Sequence, residues 1–345
     1  MEIDFVIEKF ILVIALFAIS LLIAMYSTYA ERKVAAFLQD RLGPDRAGPF
    51  GILQPLADGV KMFMKEEIIP ANANKWLFLV GPGLAMLCAC IGTAVIPWGQ
   101  DMMVGDRLVK LQVTDINVGL LYIFGVISLG VYGVMIGGWA SNNKYSLLSA
   151  IRAASQNISY EIAMGLSIIA LLLVTNTLSL REIVVQQHGW HWNVIYQPLG
   201  FIIFMVCAFA ETNRAPFDLP ECEAELNGGY HMEYSSMKLG FYLFAEYINM
   251  FVSSTVMAAL YFGGYNYPGM DIIAAAWGPT WAPLFGTFIF FMKIFGFIFF
   301  FMWVRWTIPR FRYDQLMNLG WRGLIPLAIA NIIITGIVIA LTNNF

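Results

Sequence analysis

The chain has 345 residues, 59% of them hydrophobic and only 12% charged, with a formal net charge of −3 and a mean hydropathy of +0.69. Soluble domains carry roughly a quarter charged residues, so two soluble domains are excluded, and the scattered Lys and Arg exclude nucleic-acid binding. The apolar residues come in blocks of about 20, the length that crosses a bilayer core. Hydrocarbon offers no partner to a free backbone amide, so such blocks are helices, and no strand-like alternation suggests a barrel.

In chain order the blocks predict spans at 6–30, 76–98, 116–138, 160–180, 198–213, 237–262, 281–304 and 322–342. The first is too long for the apolar region of a signal peptide and is expected to be retained. Trp76 and Trp98 stand 22 residues apart, as do Trp281 and Trp303, or about 33 Å of helix. Tryptophan favours the headgroup level, so each pair is expected to bracket a bilayer. The expected fold is an all-α membrane protein of about eight transmembrane helices plus a short amphipathic interfacial helix. It forms a single polytopic domain over 1–345.

Orientation follows from the basic residues. Thirteen Lys and Arg fall in the odd-numbered connections, 31–75, 139–159, 211–236 and 305–320, and three in the others. Positive charge stays inside, so those four connections are expected in the cytoplasm and both termini outward. The outward loops are short. His188, Trp190, His191 and Trp192 in one of them read as an interfacial anchor. Cys88, Cys90 and Cys207 lie inside apolar blocks and read as small buried hydrophobes. Without CxxC or Cys/His sets, the chain offers no zinc or iron–sulfur site.

The long cytoplasmic connections carry the chemistry. The first reads ERKVAAFLQDRLGPDRAGPFGILQPLADGVKMFMKE over 31–66. After the Gly-Pro turns, Phe50, Leu53, Leu56, Ala57, Val60, Phe63 and Met64 recur at helical spacing, with Asp58, Lys61 and Lys65 opposite. Such a helix lies in the membrane interface, either as an anchor or as a doorway for an amphiphile arriving from the acyl layer.

The fifth connection, ETNRAPFDLPECEAELNGGYHMEYSSMK over 211–238, is strongly acidic. A helix start with Asp218 as N-cap, Pro220 in the first turn and Glu221 and Glu223 at its positive end would account for part of this. It leaves Glu211, Glu225 and Glu246 without explanation. Glu246 lies roughly 12 Å inside the sixth span, where a carboxylate must be paired or protonated and marks an ion path by default. Crowded, desolvated carboxylates exchange protons near neutrality, so proton handling is the favoured reading. Glu161 opens the fourth span. Lys293 sits near the middle of the seventh, where an ion pair with a carboxylate of a neighbouring helix is one reading. Glu8 and Lys9 snorkel to the outer surface. The last connection, RWTIPRFRYDQLMNLGW over 305–321, brings Arg305, Arg310 and Arg312 to the membrane edge. There they anchor, or pair with the acidic connection or a docked protein.

These three long stretches resemble the signature regions of the H-type membrane subunits of proton-translocating NADH:quinone oxidoreductase, respiratory complex I. The similarity runs over nearly the whole chain and is weakest at 101–112 and 181–197. The resemblance implies a membrane subunit of a redox-driven proton pump. It would form the quinone channel, between the first span, the amphipathic helix and the sixth span, and couple quinone reduction to proton translocation. Arg32, Gln39, Arg41, Asp58 and Arg305 would line or shape the passage. Glu161, Glu211, Glu221, Glu223, Glu225 and Glu246 would form the acidic chain of the coupling. Quinone is then a substrate. No cofactor is expected on this chain, and NADH, FMN and iron–sulfur clusters would belong to partner subunits. Those partners would include the terminal iron–sulfur subunit, the 49-kDa-type subunit and neighbouring small membrane subunits, in a bacterial plasma membrane. Two rival readings are the homologous membrane subunit of an energy-converting hydrogenase or formate-hydrogen lyase and a stand-alone secondary transporter. The complete amphipathic doorway argues against the first. The lack of inverted repeats argues against the second.

Overall fold

A computed structural model describes residues 2–104, 107–220 and 223–342. Thirteen α-helices dominate the described residues, in the order α1 (Glu2–Leu38), α2 (Gln54–Met64), α3 (Lys75–Ile91), α4 (Gly119–Ala140), α5 (Lys144–Thr175), α6 (Leu180–Gln186) and α7 (Asn193–Tyr196). There follow α8 (Pro198–Glu211), α9 (Glu223–Leu226), α10 (Ser236–Tyr261), α11 (Met270–Thr307), α12 (Tyr313–Asn318) and α13 (Ile325–Thr342). The described strands are β1 (Met102–Val104) and β2 (Arg107–Val109), an antiparallel pair with Met102 opposite Val109.

Seven helical stretches are long and apolar enough to cross a membrane: 6–38, 75–95, 119–140, 144–175, 236–261, 280–307 and 313–342. The remaining predicted span is the 14-residue α8, only about 21 Å long. The chain is a multi-pass, all-α membrane protein. At the centre, α10 is buried along almost its whole length, with α3 and α1 against it.

Glycines set the closest approach. A Cβ on Gly137 of α4 would stand 1.9 Å from the hydroxyl of Tyr242 on α10, and one on Gly133 would stand 2.7 Å from the backbone of Ala85 on α3. Hydrogen in place of a methyl lets three helices meet there, and Tyr242 then donates to the Gly133 carbonyl at 3.1 Å. This is small-residue packing, the main route to tight helix contact where lipid removes the hydrophobic drive.

Several sequence-based boundaries move. The predicted connection 139–159 is mostly helix, because α5 begins at Lys144, with the Asn143 side chain accepting from the Tyr145 amide at 2.9 Å. This stretch is polar, which hides it from a hydropathy reading, yet its Ser146, Ser149, Gln156 and Asn157 are buried. They hold the fifth connection: Gln156 donates to the carbonyls of Ala210 at 2.7 Å and Phe217 at 2.9 Å, and Ser149 to that of Pro220 at 2.5 Å. The expected helix start at Asp218 is replaced by turns, and the described helix there is only α9. The amphipathic helix begins at Gln54 rather than Phe50, after a 3-10 turn at Pro49–Gly51. Trp98 is no interfacial anchor. It is 3% exposed and stacks between Phe251 and Phe291, whereas Trp76, Trp281 and Trp303 are exposed as expected. The long helix α11 breaks at Gly278, where φ is +77°, a conformation that costs glycine little.

Candidate functional site

Two cavities flank α10 at its N-terminal half. The first is a groove between α1, α2 and α10, with walls from Met25, Met62, Leu243, Phe244 and Tyr247. Its lining is mainly apolar, and polar groups gather at one place: Arg32 and Asp58, both lining residues, pair at 2.7 Å. Gln54 supports the same carboxylate at 3.2 Å and Lys61 at 3.7 Å. The hydroxyl of Tyr29 ties α1 to the turn before α2 by donating to the Phe50 carbonyl at 2.6 Å. At the other end of α2, Ser236 donates to the Met62 carbonyl at 3.1 Å, and Lys238 pairs with Glu67. The amphipathic helix is therefore pinned at both ends, while Val60, Phe63 and Met64 stay exposed, as an interfacial helix requires.

The second, a small cavity, lies between α3, α4, α5, α8 and α10. Its wall includes Glu211, Glu246, Tyr230, Tyr242 and Asn157. Glu246 is 7% exposed, accepts from Tyr230 at 2.9 Å and faces Arg214 at 3.7 Å. Glu161 accepts from Ser128 and lies within electrostatic reach of Glu211. A buried carboxylate stays in place only when paired, hydrogen-bonded or protonated; Glu246 has Tyr230 and Arg214, and Glu161 has Ser128.

Of the residues singled out in the sequence, Arg32 and Asp58 meet in the groove, and Glu161, Glu211 and Glu246 gather at the chamber. Gln39 and Arg41 do not join the groove lining. Arg41 donates to Gln39 at 2.8 Å at the exposed end of α1. Glu225 lies apart on the surface, between Arg152 at 2.9 Å and Arg310 at 3.1 Å. This is the pairing of the last connection with the acidic one. The Glu221 expectation lies outside the described residues, and Glu223 is described only as the start of α9. Arg305 turns inward to pair with Glu31. Among the described residues, Lys293 meets no helix-borne carboxylate. Its ammonium donates to the carbonyls of Phe262, Gly264 and Asn266 at 2.6–2.8 Å. These carbonyls belong to the turn that follows α10, where a cation also suits the helix dipole.

Comparison with known proteins points to one family. The NADH dehydrogenase family model matches residues 10–336. The first H-type subunit of the NADH-quinone oxidoreductase of Cytophaga hutchinsonii is 69% identical over 98% of both chains. Its counterpart in Flavobacterium psychrophilum is 65% identical over 99% of both. A more distant relative, the second H-type subunit of Geobacter metallireducens, keeps 47% identity over 95% of this chain and 94% of its own. The chain belongs to the family of H-type subunits of NADH-quinone oxidoreductase. It is thus a membrane component of an oxidoreductase complex, and its partners are other subunits of complex I.

Two side chains buried between the cavities escaped the sequence reading. Glu31, in the last turns of α1, is 6% exposed, accepts from Tyr247 at 2.6 Å and pairs with Arg305 and, at 3.4 Å, with Arg214. Arg214 is 5% exposed and lies over the Tyr247 ring at 4.1 Å. The sequence held a clue to Arg214, the one Lys or Arg between 211 and 237 amid six acids. Glu31 is masked by its neighbours Arg32 and Lys33, which make the segment read as basic.

Proposed function

We propose that the groove admits the quinone and that the acidic chamber couples quinone reduction to proton translocation. The carrying observation is on α10: Tyr247 lines the groove and its neighbour Glu246 lines the chamber. Consecutive helical residues point about 100° apart, so one helix separates an apolar, lipid-level slot from a carboxylate cavity. An isoprenoid quinone has an apolar tail and a polar head. An apolar slot with a few convergent polar groups suits that shape, and the Arg32–Asp58 pair is available to the head. Electrons arrive from partner subunits, among them the terminal iron–sulfur and 49-kDa-type subunits. A negative charge formed on the bound quinone alters the field at nearby buried carboxylates, and low polarity keeps that influence strong. Glu161, Glu211 and Glu246 respond by changing protonation. Glu221 and Glu223 extend this acidic set towards the cytoplasm, while Gln39 and Arg41 shape the outer approach for a docked partner.

The topology belongs to the same proposal. Thirteen basic residues on one face against three on the other favour both termini outward in a bacterial plasma membrane. The short α8, preceded by α7, supplies the eighth crossing. A His188→Cys variant labelled by an impermeant thiol reagent on intact cells supports this orientation; labelling only after lysis contradicts it. For the groove, a photoreactive quinone analogue on the assembled complex should mark Met25–Arg32 and Leu243–Tyr247. Labelling confined to other segments overturns the groove reading.

A further inference from the structure

Two helices each contribute a glycine to the groove, Gly59 from α2 and Gly240 from α10. Each lies about one turn from the point where the helices are tied, the bond from Ser236 to the Met62 carbonyl at 3.1 Å. Glycine inside a helix weakens it relative to alanine, because more backbone freedom is lost on folding. Its presence there calls for a reason, and the usual ones are a left-handed backbone or an approach too close for a methyl. Gly48 and Gly51, before α2, have the first, with φ of +73° and +81°. Gly133 and Gly137 have the second. Gly59 and Gly240 have neither. Their φ values are not positive. Among the described residues no atom comes within 4 Å of a Cβ placed on Gly59, and one on Gly240 would meet only the Met237 side chain, at an ordinary 3.7 Å. What the two glycines provide is the space itself, and that space belongs to the groove.

Resting on the function proposed above, we infer that Gly59 and Gly240 are specificity-determining positions, which set the width of the groove for the branched isoprenoid chain of the quinone. Each isoprene unit carries a methyl branch, so this chain is broader than a straight alkyl chain. Glycine lets a backbone approach a ligand closely, and here two backbones do so in one slot. The remaining walls suit a sliding chain. Met25 and Met62 are unbranched and adaptable, and their contacts with a hydrocarbon are individually weak and summed along its length. The polar contact for the head is separate from this aperture, because it lies in the Arg32–Asp58 pair. Added bulk at either glycine therefore acts on the thickness of the chain rather than on the charge around the head. A difference of one methylene in an apolar pocket discriminates between substrates by about 10-fold or more.

The test uses the intact complex in membrane vesicles, with NADH oxidation by an artificial acceptor as the measure of assembly. Two quinones with the same head are compared, one with an isoprenoid chain and one with a straight alkyl chain of equal main-chain length. Gly59→Leu and Gly240→Leu each introduce a better helix former, so a loss reports bulk in the groove rather than a weaker helix. Each should lower kcat/KM about tenfold for the isoprenoid quinone and about threefold or less for the straight-chain one. Equal losses with both quinones, or no loss with either, overturn the inference. Where a leucine variant fails to assemble, the bulk is added afterwards. Gly59→Cys, at a half-buried position, is treated in the assembled complex with a methyl or a benzyl methanethiosulfonate, with the unsubstituted complex as control. The benzyl reagent should produce the selective loss and the methyl reagent a smaller one. Equal effects of the two reagents, equal effects on the two quinones, or a cysteine that does not react all contradict an open aperture at Gly59. Photolabelling separates this inference from the reading beneath it. Labelled groove segments together with unaltered selectivity remove only the role of the glycines, whereas labelling confined to other segments removes the groove itself.

Discussion

Glu225 and Glu246 belong to the same acidic stretch of sequence, yet the fold gives them opposite surroundings. Glu225 sits at the surface between two arginines and is 36% exposed at its side chain. Glu246 is 8% exposed at its side chain, walls a cavity and shares a cation that is also drawn to Glu31. An ion pair in water stabilises little, because solvent screens it and both side chains lose freedom. The same charge at depth responds strongly to any change nearby. A run of acids is therefore not one functional unit: depth and the closeness of pairing separate a fastener from a responsive group. Glu225 ties the fifth connection to α5 and to the segment before α12. In the function proposed above, Glu246 is the one that answers the groove.

The largest expected effect comes from spoiling the chamber wall without touching an acid. Gly137→Ala drives a methyl into the Tyr242 hydroxyl, 1.9 Å away, one helical turn from Glu246. Overpacking of this kind costs about 1–3 kcal/mol or more. The variant should lose quinone turnover about tenfold or fail to assemble, and normal activity would mean that the close approach of α4 and α10 is unimportant. An intermediate effect is expected from Asp58→Ala, which frees Arg32 in the groove. The apparent KM for long-chain quinone should rise about three- to tenfold, or roughly 1 kcal/mol, with artificial-acceptor activity intact. An unchanged KM counts against the Arg32–Asp58 pair as a contact for the head. The smallest effect is expected at Glu225→Gln. Its two exposed pairs are worth about 1 kcal/mol or less each, so turnover should stay within about twofold, and a tenfold loss would erase the distinction drawn here.

Much of the fold was legible because hydrocarbon demands long apolar helices, and the blocks that became α1, α3, α4, α10, α11 and α13 stand out on that ground alone. The first half of α5 was not. Its Ser146, Ser149 and Gln156 read as a polar connection, and they are buried against the carbonyls of the fifth connection that they hold. Trp98 was misplaced for a related reason: spacing shows how far a ring lies along a helix but not which neighbours surround it. At the site, residue type and depth pointed to Glu246, and the family resemblance to Arg32 and Asp58. The burial of Glu31 and the placing of Arg214 depend on four separate elements, α1, the fifth connection, α10 and α11, meeting at one point. No local pattern carries that information. Lys293 looked like half of an ion pair, and its partners are backbone carbonyls, which sequence cannot display.

The central claim is that the two acids differ in kind, Glu246 coupling and Glu225 fastening. It is tested most directly by comparing Glu246→Gln with Glu225→Gln in the same preparation. NADH:quinone turnover and proton uptake into vesicles would be recorded together. The account predicts that Glu246→Gln lowers both rates severalfold or more and in parallel, while Glu225→Gln leaves both within about twofold. Equal losses in the two variants, or normal rates for Glu246→Gln in a fully assembled complex, would contradict it.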